Sequence, residues 1–251
     1  RPYVGIWPRG GGKSTTVELA AAYVGAERRS RRYVLYCCGT QDQADKHVQS
    51  VAALLERLGV ARAVNVYGNS KGWRRQELRS AAGFNVSAYG LAPAARGVKL
   101  DEVRPDLIIF DDVDRRHDSA AAVAKKIDMI TQNVLPAGSS DCAVVFIQNL
   151  IHRDSVAARL ADGRADFLLN RLPVAVEPAV RDLAYERVAV DDGSLRYVVT
   201  GGTPKWEGQN LKVVEHQLNA WGRGAFRRES QHEVNAEENG LWQRARDLDP
   251  F

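Results

Sequence analysis

Short apolar runs alternate with stretches of helical spacing over the first two thirds of the chain, which predicts a layered α/β fold. Residues 3–7 read as a strand. Val17, Ala20, Ala21 and Val24 then share one helical face, with Gly25 as the expected stop. Residues 33–38 form a second apolar run, and residues 63–67 are expected to be a short third strand. Between them, Thr40 and Gln43 have the spacing of a capping box for a helix that carries Ala44, Val48, Val51 and Leu55 and ends at Gly59. Residues 107–110 are apolar without interruption, as a strand buried on both faces of a parallel sheet must be. Ser119 can cap a helix running toward Leu135, with Pro136 beyond it. Residues 143–147 read as another buried strand, and Asp154 can cap the helix after it.

The pattern then changes. Residues 185–190 and 195–200 flank Asp191-Asp192-Gly193-Ser194 and predict an antiparallel hairpin. Leu211, Val214, Leu218 and Trp221 follow at helical spacing, and Phe226 sits within a charged helix. The polar stretch 235–251 reads as a linker, so residues 1–234 are expected to form one domain.

Composition narrows the class. A chain of 251 residues, 45% hydrophobic, can bury a sizeable core, and no apolar run has the length of a membrane span. It opens on Arg1 with a strand almost at once, so a fragment lacking upstream elements is expected. A net charge of +4 permits a polyanionic partner without requiring one. Cys37, Cys38 and Cys142 have no metal-ligand spacing. Neighbours on a strand point to opposite sides, so Cys37 and Cys38 are expected to be packed, reduced thiols. His47, His117, His152, His216 and His232 lack zinc spacing, and neither Ser119 nor Ser155 stands in a nucleophile-elbow motif. Lys71, Trp73, Arg74, Arg75 and Arg79 suit nucleic-acid contact and a charged hairpin face equally. The run Arg28, Arg29, Arg31, Arg32 reads as a solvated surface.

The chemistry concentrates at two places. Pro8-Arg9-Gly10-Gly11-Gly12-Lys13-Ser14-Thr15 lies between a strand and a helix, where glycines let backbone N–H groups close on phosphate oxygens. The helix N-terminus adds positive charge; Lys13 can reach the β- and γ-phosphates, and Ser14 can ligate Mg²⁺. The general motif wants glycine at position 7, where Trp7 stands; an ordinary glycine-rich turn is the competing reading. Asp111-Asp112 directly follows the buried strand. There one carboxylate can hold the metal's water shell while its neighbour orients or deprotonates the attacking water. Asp111 is the expected metal-side residue, Asp112 the expected base and Asp114 the reserve. Acidic residues closing a strand are the competing reading.

Several stretches, in order, resemble the ATPase domain of bacteriophage large terminases. They are Pro8 to Ser14 with its missing first glycine, and Gly39-Thr40-Gln41-Asp42-Gln43-Ala44. Trp73 with Glu77-Leu78 and residues 83–90 follow, then Arg96-Gly97 and the run from Arg104-Pro105-Asp106 to Asp111-Asp112. Ile147 to His152 with Asp154-Ser155, then Phe226, Glu229, Gln231 and finally Gly240-Leu241-Trp242 complete the series. Gln148-Asn149 departs from the small pair usual in that family. The resemblance implies an ASCE-type P-loop NTPase with a mostly parallel central sheet flanked by helices plus a small antiparallel hairpin, acting as a Mg²⁺-dependent ATPase that packages viral DNA. It implies ATP and Mg²⁺ as ligands, with Pro8, Arg9, Gly10, Gly11, Gly12, Lys13, Ser14, Thr15 and Asn149 around the nucleotide and Ser14 and Asp111 at the metal. Lys13, Asp112, Arg9 and Arg96 are the implied catalytic set, with Arg96 as an arginine finger offered to a neighbour; Arg104 and Arg153 compete for that role. The implied partners are double-stranded DNA, a portal protein, a small terminase subunit and further copies in a ring, at the procapsid in the bacterial cytoplasm and not at a membrane. A nuclease domain is expected beyond residue 251. A helicase-like or repair ATPase and a nucleotide-dependent assembly module are the rival functions.

Overall fold

The computed structural model describes residues 1–91, 103–190 and 193–234. Its strands are β1 (Tyr3–Ile6), β2 (Tyr33–Cys38), β3 (Glu77–Arg79), β4 (Asn85–Gly90), β5 (Leu107–Asp111), β6 (Ala143–Gln148), β7 (Ala175–Val176), β8 (Val180–Ala189) and β9 (Leu195–Pro204). Its helices are α1 (Lys13–Ala22), α2 (Gln41–Arg57), α3 (Ala120–Met129), α4 (Leu135–Ala137), α5 (Val156–Ala161), α6 (Leu211–Trp221) and α7 (Arg223–Gln231). Seven strands form one sheet in the order β3-β4-β2-β5-β6-β1-β7, parallel throughout except for β3 against β4. Strand β6 stands between β1 and β5. The fold is thus the expected P-loop class, with β8 and β9 as a separate antiparallel ribbon.

Strand alternation sorts the core into two layers. Leu35 and Cys37 of β2, with Ile108 and Phe110 of β5, pack with Val123, Val156 and Leu160. Val34, Tyr36 and Cys38, with Leu107 and Ile109, pack with Val17, Ala21, Val48, Val51 and Leu55 of α1 and α2. The uninterrupted apolar run of β5 is therefore explained by helices on both faces. Cys37 and Cys38 part to opposite layers as expected, and burial pushes both thiols up, which keeps them protonated. A third cluster of Val180, Val214, Leu218 and Phe226 joins the ribbon to α6 and α7. Asp106 ties the edges of β2 and β5 together. Its carboxylate accepts from the Arg32 and Tyr33 amides at 2.8 and 2.9 Å.

Three local expectations change. Residues 63–67 are not a strand: Val64 makes one isolated bridge to Ser70, and Val66 is 92% exposed with nothing to pack against. The strands of that region are β3 and β4 instead. Gly25 does not stop the first helix, which continues as a π-helical turn over Tyr23–Glu27. A Cβ at Gly25 would lie 2.2 Å from the Phe84 ring, so glycine is there to admit that ring. Asp154 does not cap α5; it is exposed and pairs with Arg164 at 2.8 Å. Ser155 is the cap, accepting from the Ala158 amide at 3.1 Å, whereas Ser119 and Thr40 cap their helices as expected.

Asp114 secures the same helix from a distance. Its two carboxylate oxygens accept from the Val156 and Ala157 amides at 2.9 Å each, deep in the protein. Replacing it by Ala strands two buried donors. Asp114→Ala is expected to cost about 3 kcal/mol in urea unfolding, and Asp114→Asn about half as much. A loss below about 1 kcal/mol would show that water replaces the carboxylate there.

Candidate functional site

Arg9, Lys13, Ser14, Asp111, Asp112 and Asn149 stand at the carboxyl ends of β1, β6 and β5, where open α/β sheets bind ligands. After β1, the Trp7 amide still donates to the Gln148 carbonyl at 3.0 Å. The chain then turns through Gly10 (φ 79°) and Gly12 (φ 71°), left-handed conformations that a side chain would disfavour. Gly12 leads straight into α1, and Thr16 donates back to its carbonyl. Lys13 and Ser14 therefore occupy the first turn of a helix whose opening amides face the loop, a ready anion site. Trp7 packs beside this turn. Its indole donates to the Tyr3 hydroxyl at 3.2 Å, and the Lys205 ammonium lies 4.1 Å from its ring centroid.

Lys13 meets the carboxylate pair directly, with its ammonium 3.3 Å from Asp112 Oδ1. Successive residues of a strand point apart, and what brings Asp112 round is its backbone at φ 47°. That conformation is held from behind. The Gly39 amide donates to the Asp112 carbonyl at 3.2 Å, and a Cβ at Gly39 would sit 2.9 Å from the Val113 carbonyl oxygen. Asp111 keeps the strand geometry and is fully buried. Burial and the neighbouring Asp112 charge raise its pKa, opposed by the Ser14 hydroxyl, His47 and the Tyr36 hydroxyl. One oxygen, Oδ2, accepts from Tyr36 at 2.8 Å; the other, Oδ1, is buried without a hydrogen-bond partner. An orphaned carboxylate oxygen beside Ser14 is the donor set that a hard cation such as Mg²⁺ takes, so the residues fit that ion.

Asp114, the reserve base, is spent on the α5 amides and is nine-tenths buried, so it presents no free oxygen to the loop. Gln148 accepts from the Asp114 amide at 3.2 Å, and Asn149 donates to Glu229 Oε2 at 2.7 Å. The C-terminal elements close on the loop from its other side. The Arg9 amide donates to the Glu229 carbonyl at 2.9 Å, and its guanidinium lies 3.4 Å from the Glu229 carboxylate. Gln209 donates to the Arg9 carbonyl at 2.8 Å. Glu229 thus links the loop, the end of β6 and α7.

Arg96 lies outside the described residues, as does the stretch 235–251. Arg104 donates to the Pro136 carbonyl at 3.4 Å, and Arg153 is exposed with its carbonyl engaged by Arg164. Of the basic and aromatic group, Arg75 pairs with Asp42 and Asp45, Arg79 with Glu77, and Trp73 donates to Glu56 beneath the Arg62 guanidinium. The charged-face reading accounts for those contacts. Sequence reasoning missed two histidines. His47 stands beside Asp111, and His232, left-handed at the end of α7, accepts from the Leu150 amide at 3.3 Å. Neither carries a spacing signal, because each partner comes from a distant segment.

No protein-family model matches the chain, and no curated protein does. Several solved structures are similar to it, phage large terminases among them. The large terminase ATPase domain of Thermus phage P74-26 aligns at 17% identity and TM-score 0.40, over 59% of each chain. The HK97 bacteriophage large terminase aligns at 16% identity and TM-score 0.43, over 72% of this chain and 36% of that one. A mutant of the P74-26 domain aligns at 12% identity and TM-score 0.47, over 93% and 89%. The chain therefore spans less than two thirds of the first two. Among the described residues no helix is long and apolar enough to cross a membrane.

His232 gives this region a pH dependence. Burial lowers its pKa to about 4; the Glu177 carbonyl opposes that, and the Lys205 and Lys13 charges add to it. The folded value lies below the unfolded one, so the neutral ring stabilises the fold above about pH 6.5 and that contribution is lost as pH falls toward 4. Between those limits the loss is on the order of 3 kcal/mol. Unfolding midpoints measured from pH 7 to 4.5 should fall more steeply for the wild type than for His232→Asn; parallel slopes would assign the acid sensitivity elsewhere.

Proposed function

We propose that this chain is the ATP-hydrolysing motor domain of a DNA-packaging terminase. The observation that carries the catalytic part is the meeting of Lys13 with Asp112 beside the orphaned Asp111 oxygen, at the mouth of a glycine loop on a parallel sheet. ATP is the substrate this arrangement suits. The loop amides and the α1 N-terminus bind phosphate oxygens, and Lys13 balances charge on the β- and γ-phosphates. Ser14 and Asp111 would hold Mg²⁺, which supplies charge neutralisation between the phosphates when bound. Asp112, turned out of the strand, orients the attacking water and takes its proton as the water oxygen bonds to the γ-phosphorus and the bond to the β-phosphate oxygen breaks. Arg9 is half free to swing from Glu229 toward the γ-phosphate, and Asn149, on the same carboxylate, is placed to follow that change. Arg96 serves as the finger supplied to a neighbouring copy.

Translocation of double-stranded DNA, ring assembly on a procapsid in the bacterial cytoplasm, and the portal and small-subunit partners rest on the ordered sequence resemblance and a basic chain of net charge +4. Residues 1–234 are the motor domain, and residues 235–251 lead toward a nuclease domain.

Lys13→Ala should weaken ATP binding by at least about tenfold. Asp112→Asn should retain binding while turnover falls by at least about a hundredfold. Normal hydrolysis by a folded Asp112→Asn protein removes the base assignment, and Asp114 does not inherit it because its oxygens are already engaged. Specific activity that climbs steeply with protein concentration supports finger donation between copies; ATP-driven strand separation would favour a helicase instead.

A further inference from the structure

Asp111 is held by an assembly that hydrolysis alone does not demand. Tyr36 of β2 donates its hydroxyl to Asp111 Oδ2 at 2.8 Å. The His47 ring of α2 stacks on the Tyr36 ring, with centroids 5.0 Å apart and planes 15° from parallel. His47 Nε2 lies 3.8 Å from the same Asp111 oxygen, and its Nδ1 lies 2.6 Å from Glu18 Oε1. Glu18 is itself buried and belongs to α1, the helix that begins with Lys13 and Ser14. Side chains of β2 and α2 thus meet one oxygen of this β5 carboxylate, with α1 behind them through Glu18, while the other oxygen is buried and unpartnered.

We infer that Tyr36 and His47 are positioning residues that pin Asp111 through Oδ2, so that Oδ1 is the atom presented to a divalent cation on the nucleotide. This rests on the nucleotide-site reading above. The terminal torsion of an Asp side chain is broad and two-fold, so an unbraced carboxylate rotates and exchanges its oxygens. Outer partners of a ligating carboxylate fix that rotation, and their loss commonly weakens metal affinity about tenfold or more. The ring stacking matters because it sets where the Tyr36 hydroxyl points. Glu18 matters because it anchors the imidazole to the helix carrying Ser14, so the cation's two candidate ligands share one frame.

Tyr36→Phe separates this from a packing role, since it keeps the ring and its stacking and removes only the donor. His47→Gln is the second variant; it keeps a polar group opposite Glu18 and removes the stacked ring. The measurement is the affinity of a fluorescent ATP analogue for the 251-residue chain, first in EDTA and then across a MgCl₂ titration. For each folded variant, affinity in EDTA should stay within about twofold of wild type. The MgCl₂ concentration giving half of the Mg²⁺-dependent gain should rise about tenfold. Wild-type Mg²⁺ dependence in both variants overturns the inference. So does an equal loss with and without Mg²⁺, which marks general damage to the fold. Lys13→Ala, measured alongside in EDTA, keeps the two readings apart: unchanged affinity there removes the nucleotide site itself. If Lys13→Ala binds weakly while Tyr36→Phe responds to Mg²⁺ normally, only the positioning role falls.

Discussion

The site depends on the register of three parallel strands. Ile6 of β1 lies opposite Gln148 of β6, and Ile147 of β6 lies opposite Asp111 of β5. The glycine loop, the Gln148-Asn149 pair and the carboxylates therefore leave the sheet at one level. In a parallel sheet a slip of one residue would send each side chain to the opposite face. The apolar packing that prevents slippage, from Ile108 and Phe110 on one side and Ile109 on the other, is also what aligns Lys13 with Asp112.

That alignment is costly to stability, and the costs are local. Asp111 is a fully buried carboxyl with one unsatisfied oxygen, a deficit of about 1–3 kcal/mol. Asp112 holds a left-handed backbone that β-strand ends seldom adopt. Both penalties occur on consecutive residues, and both are maintained by contacts from other elements: Tyr36 and His47 for one, Gly39 for the other. Such a concentration of unmet polar capacity is expected where a ligand completes the structure.

The C-terminal elements belong to the same arrangement. Glu229 of α7 takes Arg9 through both its backbone carbonyl and its carboxylate, and takes Asn149 through the same carboxylate. His232 fastens the end of α7 between the Leu150 amide and the Glu177 carbonyl. A change at the glycine loop that draws Arg9 away would thus be felt by the end of β6 and by α7 at once, through a single side chain. His232, its pKa lowered by burial, makes that docking sensitive to acid.

Much of this was legible in the chain. The uninterrupted run at β5, the glycines before Lys13, the caps at Thr40 and Ser119, and the opposed Cys37 and Cys38 all follow from local rules of spacing and backbone freedom. Those rules placed the loop on a strand–helix junction and the two aspartates at a strand's end. They failed wherever the partner came from elsewhere. Residues 63–67 have strand-like composition but no surface to cover; Gly25 serves the Phe84 ring; Asp114 serves amides of α5. His47 and His232 carry no sequence signal at all, because their meaning lies in Glu18, Asp111, Leu150 and Glu177. Sequence alone determined which candidate groups stand at the strand ends, since the glycines, the lysine and the paired carboxylates there are local facts. Tertiary structure alone decided which oxygen of which aspartate stays free, because that depends on what packs behind it.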